Sequence, residues 1–226
     1  MIEQGDRTLQ CRRSLATLLT AILLCAPFGT SAQERMSALD AVLANIDVRT
    51  QELDRVDELL ASEDPNRRLA AMEALLASGD PAFVERAAET GLFSEDVRLR
   101  ETAIRAVLQT GGPFTLRLDL SATDDEQSMM LEWLGYSAGA TSADLAQGSV
   151  TFTVDPFDEK AKCWYLSSSS GSKHCGFVLT GETVSLSGWR YTAGSLTLDD
   201  AAILSGAVSN ERRKGVPVPA RIDLLE

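Results

Sequence analysis

From Met36 to Gly112 apolar residues recur at helical spacing. Leu39, Val42, Leu43 and Ile46 follow the i, i+3, i+4, i+7 rule for one face, and Leu53, Val56, Leu59 and Leu60 continue it. Asp64-Pro65 supplies a capping carboxylate and then a proline suited to the first helical position. The next stripe, Leu69, Met72, Leu75 and Leu76, is stopped by Ser78-Gly79. Asp80-Pro81 repeats the start signal for a short third helix carrying Phe83, Val84, Ala87 and Ala88 and stopping at Gly91. Ser94 is the expected cap of a fourth helix with Val97, Ile104, Val107 and Leu108, and Gly111-Gly112-Pro113 closes the region. The first helix also places Leu39, Val42, Ile46, Leu53, Val56 and Leu60 near heptad a and d positions. Arg49 and Thr50 interrupt that seam, so the helix is expected to pack on the following pair rather than to form a coiled coil.

After Pro113 the period changes. Phe114–Leu120 alternates as a half-buried strand does. A short helix is predicted from Asp124 to Leu134. Strands are predicted at Val150–Val154, Cys163–Leu166, Phe177–Thr180, Thr183–Ser187, Ser195–Leu198, Ile203–Val208 and Ala220–Leu224, separated by glycines and polar residues. Helical patterns are too few for parallel βαβ units. The fold class is therefore α+β: a short helical repeat, then a mostly antiparallel β domain built as a sandwich, open barrel or rolled sheet.

An internal repeat underlies the helical part. Residues 62–79 (SEDPNRRLAAMEALLASG) align without a gap on 94–111 (SEDVRLRETAIRAVLQTG), with eight of 18 positions identical at an offset of 32. A helix pair cannot bury its apolar face alone, so such units stack. Over about residues 50–112 this pattern resembles HEAT-like or armadillo-like helical repeats. The resemblance implies a protein-binding scaffold with a protein partner, and no catalytic residue. Arg68 and Arg100 fall at equivalent places on the second helix of each unit, off the apolar stripes. They are expected to reach solvent and are the candidate partner-binding residues.

The N-terminal 32 residues read as a secretory signal peptide. Arg12 and Arg13 precede an apolar run, Leu15–Leu24, and Thr30-Ser31-Ala32 offers small residues for cleavage before Gln33. The run is too short for a bilayer-spanning helix, which needs roughly 20 apolar residues. The expected organisation is signal peptide 1–32, helical repeat region 33–112 and β domain 113–226, in a bacterial protein that is periplasmic or secreted. Cleavage leaves Cys163 and Cys175. An even count in an oxidising compartment suggests one disulfide, and neither a redox pair nor a metal site has the needed C-x2-C spacing or partners.

Charge then narrows the partners. The 226 residues carry 21 Lys+Arg against 33 Asp+Glu, a formal charge of −12, which disfavours nucleic acid and anionic lipid. Candidate chemistry is thin. Gly135-Tyr136-Ser137-Ala138-Gly139 matches G-x-S-x-G, with Ser137 as nucleophile, His174 as base and Asp155 or Asp158 as orienter. The strand-turn-helix context that the motif needs is missing. His174 is the only histidine, which excludes a two-histidine metal site, and no motif for a cofactor is present. Arg212-Arg213-Lys214-Gly215 reads as a solubilising hairpin tip. The leading function class is an exported, non-catalytic protein-interaction or scaffold protein. A glycan- or peptide-binding β domain comes second and a serine hydrolase third.

Overall fold

A computed structural model of the chain describes residues 31–121, 124–167, 174–211 and 217–226. The expected signal peptide up to residue 30, the loop tip at 168–173 and the basic cluster at 212–215 lie outside the described residues. The chain divides into two compact units with the boundary between Val48 and Arg49.

Consecutive helices come first. α1 (Ser31–Leu60) crosses the unit boundary, and α2 (Pro65–Ala77), α3 (Pro81–Leu92) and α4 (Val97–Gln109) follow. Three aspartates cap α2, α3 and α4. Asp64 Oδ1 accepts from Asn66 N at 2.9 Å, Asp80 Oδ1 from Ala82 N at 3.0 Å and Asp96 Oδ1 from Arg98 N at 3.0 Å. Each satisfies a backbone donor that a helix start leaves unpaired. The cap of α4 is thus Asp96. Ser94 stands two residues further out, its hydroxyl accepting from Asp96 N at 3.1 Å. Val56, Leu60, Met72, Leu75, Ala87, Leu92, Leu99, Ala103, Ile104 and Leu108 form the helical core. Gly91 does not stop α3. It is buried inside the helix, where a Cβ would come within 2.8 Å of Ala103 Cβ, so its role is close packing. Val97, in the first turn of α4, is exposed, and Leu99 takes its place on the buried face.

Among the described residues the second half holds one antiparallel sheet of nine strands and a helix. β1 (Phe114–Asp119) precedes α5 (Asp124–Tyr136). β2 (Ala140–Thr141), β3 (Gln147–Phe152), β4 (Trp164–Leu166), β5 (His174–Thr180), β6 (Thr183–Trp189), β7 (Thr192–Leu198), β8 (Ile203–Asn210) and β9 (Val218–Asp223) follow. The spatial order is β2-β3-β1-β9-β8-β7-β6-β5-β4. The sheet curls until the chain leaving β3 meets β4 at the far end. Val154 bridges Leu166, Asp155 N donates to Tyr165 O at 2.9 Å, and Ser167 N donates to Thr153 O at 3.0 Å. Of the options expected from the sequence, the rolled, half-barrel sheet is the one observed. Only the two-residue β2 had no strand signal.

Alternation sets the inner face. Phe114, Leu116 and Leu118 on β1, Val150 and Phe152 on β3, and Val218, Ala220 and Ile222 on β9 are all buried. Phe152 meets Phe177 and Trp189 at centroid distances of 5.5 and 5.3 Å, and Trp133 of α5 meets Trp189 edge-on at 5.9 Å. Such contacts add roughly 0.5–1.5 kcal/mol each beyond area burial. Cys163 and Cys175 are disulfide-bonded, with Cα atoms 5.8 Å apart, which ties β4 to β5 beside the bridged ends.

Arg49 donates to Asp80 at 2.6 Å and lies 4.6 Å over the Phe83 ring. The Arg49 guanidinium holds the Asp80 carboxyl below its ordinary range, with the backbone donors of Phe83 and Ala82 helping. A depressed folded value means that the stabilisation is full above the unfolded Asp pKa, about 3.9, and is lost as pH falls through the folded value. Asp80→Asn is therefore expected to lower the denaturation midpoint at pH 7. The gap to the parent protein should narrow as pH drops below about 4, followed by circular dichroism at 222 nm. A gap that does not vary with pH counts against the ion pair.

Candidate functional site

The 32-residue repeat builds a concave surface in the helical part. α2 contributes Glu73, Leu76 and Ala77, α3 contributes Val84, and α4 contributes Thr102, Arg105, Ala106, Gln109 and Thr110. Together they line a groove of 580 Å³. Glu73 and Arg105 are equivalent under the repeat offset, as are Ala77 and Gln109, so the groove runs between matching faces of successive units. Units also touch in register: Arg98 Nη1 donates to Asn66 Oδ1 at 3.1 Å, across a separation of 32 residues. One wall is fixed by aromatic stacking. The Arg105 guanidinium lies 5.1 Å from the Phe157 ring and 5.5 Å from Trp164, and it pairs with Glu101 at 3.4 Å. The repeat alignment contains part of this groove, because two of its pairs, Glu73 with Arg105 and Ala77 with Gln109, both line it.

The structure puts the repeated arginines to different uses. Arg68 Nη1 donates to Ser62 O at 2.7 Å and to Glu63 O at 3.4 Å, folding back over the turn before its own helix. Arg100 does not reach solvent as expected: only 11% of its side chain is exposed. Its Nη2 donates to Leu198 O at 2.7 Å and to Asp199 O at 3.1 Å. Its Nε lies 2.9 Å from Glu182 Oε1, a charge contact outside the N–H direction, and its Nη1 lies 3.4 Å from Asp200. The reason is position. α4 is the last helix before the sheet, so its outward arginine meets the β5–β6 and β7–β8 turns, whereas α2 has no such neighbour. Asp199 is organised by the same junction. Burial pushes its carboxyl up, but donors from Ile203, Ala201 and Ser205, with the Arg100 charge, together hold it below the ordinary range.

Ser137 lies one residue past the C-terminus of α5, at 2% exposure, and its Oγ has no hydrogen-bond partner. A nucleophile elbow lifts its serine out of a strand-to-helix turn; a buried serine behind a helix does the reverse. The His174 side chain lies outside the described residues. The proposed orienters are occupied: Asp158 accepts from Lys160 N and Ala161 N at 2.9 Å each, and Asp155 Oδ1 accepts from Ser167 Oγ at 3.1 Å. Trp164 and Trp189 are fully buried, so neither offers a flat platform to a sugar. Around α5 a polar seam forms. Trp133 Nε1 donates to Arg190 O at 3.0 Å, and Arg190 Nη1 donates to Ser137 O. Beside it, the Trp189 Nε1 and Thr192 Oγ1 atoms are buried without partners.

Among the described residues no group of three or more His, Cys, Asp or Glu could hold a metal ion, and no helix is long and apolar enough to cross a membrane. No protein-family model, curated protein or solved structure matches the chain. The functional reading therefore rests on its own geometry.

Removing one partner of a buried charge contact strands the other, at a cost of roughly 3–5 kcal/mol. Arg100→Glu is expected to lose that much stability in chemical denaturation, because Glu182, Asp200 and two carbonyls would face a second anion. Arg68→Glu should lose under about 1 kcal/mol, as exposed pairs do. Equal losses in the two variants would mean that Arg100 does not hold α4 to the sheet.

Proposed function

We propose that the protein is an exported, non-catalytic interaction protein of the bacterial envelope. In this reading HEAT-like helix pairs present the α2–α4 groove to a segment of a partner protein, and the rolled sheet braces the repeat. The observation that carries the reading is the groove itself, which lies between equivalent residues of two stacked units, where helical repeats of this kind offer their contact surface. Its lining suits a protein segment: Leu76, Ala77, Val84 and Ala106 give apolar contact, and Glu73 and Arg105 give opposite charges at the rim. Export is supported by the Leu15–Leu24 apolar run behind Arg12 and Arg13 and by the Cys163–Cys175 disulfide, which belongs in an oxidising compartment. Arg68, which does not line the groove, remains a candidate partner contact. Arg100 is committed to the sheet.

A photo-crosslinking residue at Ala77 should capture an envelope protein from periplasmic extract, whereas the same residue at Val178, exposed on the sheet, should not. Ala77→Arg combined with Gln109→Arg should weaken that capture at least about tenfold, a loss of about 1.4 kcal/mol, with the helical circular dichroism signal unchanged. Undiminished capture by the folded double variant removes the groove from the interaction.

A β-domain ligand site is the second reading. It is favoured by the orphaned Trp189 Nε1, Thr192 Oγ1 and Ser137 Oγ, because buried polar groups ordinarily find partners. A small polyhydroxy ligand would satisfy them. Such a ligand should shift tryptophan fluorescence on titration, and Thr192→Val should abolish the shift. A flat titration across a panel of sugars and polyols leaves the groove as the working site.

A further inference from the structure

The outer face of the rolled sheet holds a polar pocket. Alternation turns Leu116, Leu118, Ala220 and Ile222 inward, which leaves Arg117, Asp119, Pro219 and Arg221 on the outer face. β1 and β9 pair with Arg117 directly opposite Arg221, and β8 sets Ser205 opposite Arg221 on its other side. With Asp119, Pro219 and Gln147 of β3, these residues line a pocket of 300 Å³, at the lower end of the volumes that small ligands occupy. Gly206 also lines it and adds no side chain, because a Cβ there would collide with Ser195 O.

Two arginines opposite each other on paired strands repel, and an anion that engages both relieves the conflict. A carboxylate already stands there. Asp223 Oδ1 accepts from Leu225 N at 3.0 Å, which turns the chain after β9. Glu226 then comes back to β1, and Arg117 Nη2 donates to Glu226 Oε1 at 2.6 Å. The Arg117 hydrogen bond, helped by the charges of Arg117 and Arg221, holds the Glu226 carboxyl below its ordinary range. Both cations thus act on one carboxylate position. Arg221 makes no ion-pair contact of its own among the described residues, although its charge also reaches Asp119.

We propose that the Arg117–Arg221 pocket binds a small hydroxylated carboxylate, such as a uronate, and that Glu226 is the internal carboxylate which the ligand displaces. The planar fork of arginine suits a carboxylate. The remaining wall suits hydroxyl groups. Gln147 carries both a donor and an acceptor, and Asp119 has a second oxygen beyond the one that accepts from Ser121 N and Oγ. Ser205 donates its hydroxyl proton to Asp199 and keeps its lone pairs as acceptors. Pro219 adds an apolar contact. A phosphate dianion fits worse, because Asp119, Asp223 and Glu226 surround the two cations and repel a second negative charge. None of these residues lines the α2–α4 groove or belongs to the buried seam around Trp189, so the three proposals can fail separately.

The arginine Nε–H signals in ¹⁵N NMR spectra, assigned through Arg117→Gln and Arg221→Gln, test this. Titration with D-glucuronate is expected to move both signals saturably, with a Kd of order 1 mM, while D-glucose leaves them in place. Arg221→Gln breaks no ion-pair contact among the described residues and should weaken binding at least about tenfold, with the near-ultraviolet circular dichroism of the buried tryptophans unchanged. Glu226→Gln removes the competing carboxylate and should tighten binding about threefold, a gain that misfolding cannot produce. The proposal is overturned if glucuronate gives no saturable shift, if glucose matches it, or if inorganic phosphate binds as tightly. It is equally overturned if affinity survives in the folded Arg221→Gln variant or does not rise in Glu226→Gln.

Discussion

The fold depends on a junction at Val154. Its N–H donates to Gly111 O, at the end of the helical region, at 2.9 Å. Its backbone bridges Leu166, bringing the two ends of the sheet order together. Its side chain is buried in the shared core. Val154 thus links the end of the helices to the closing of the sheet, with Thr153 and Asp155 on either side adding bonds to Ser167 and Tyr165. The curl decides what the interior holds, because the faces of β1, β3, β4 and β5 converge only when the ends meet. Phe152, Phe177 and Trp189 then interlock, and Trp164 reaches Phe157, with ring centroids 4.5 Å apart. Arg100 repeats the theme between elements. It trades a solvated position on α4 for two carbonyls and two carboxylates on the turns at one end of the sheet. A charge buried this way adds little net stability over an apolar substitute but penalises every arrangement that leaves it unpaired.

The 32-residue repeat shows which properties a duplication preserves. The capping aspartates at 64 and 96 keep their chemistry, since any helix start in that frame needs the same donors satisfied. Position 66 and position 98 differ, Asn against Arg, and that difference lets one unit hydrogen-bond the next. Arg68 and Arg100 are identical and still diverge, because a side chain's role is fixed by what it faces.

Much of the architecture was legible because its signals are local. The Asp-Pro starts, the Ser78-Gly79 stop and the alternation of Phe114–Leu120 act within a turn or a strand, and most elements lie within a few residues of their expected positions. The Cys163–Cys175 pairing follows from the count of two that the expected cleavage leaves. What stayed hidden was long-range. Nothing near Val154 announces Leu166 as its partner, and nothing near Arg100 announces Leu198. The groove was half visible. The repeat gives its register, but a repeated charge such as 68 and 100 is a stronger pattern in a sequence than the small side chains, Ala77 and Ala106, that leave the space. Ser137 follows a helix, as the residues before it implied, and not the strand that a nucleophile elbow needs.

The interior and the surface therefore divide the work. Aromatic side chains fill the inside of the rolled sheet, and the acids named as catalytic partners are tied up in turns, as with Asp158 and its two backbone donors. In the proposed interaction role, recognition falls to surfaces that folding leaves unfinished. The groove between α2 and α4 is one of these, partly apolar through Leu76, Ala77, Val84 and Ala106. It has one rim of each charge, Glu73 on α2 and Arg105 on α4, so it can discriminate among foreign segments by complementarity.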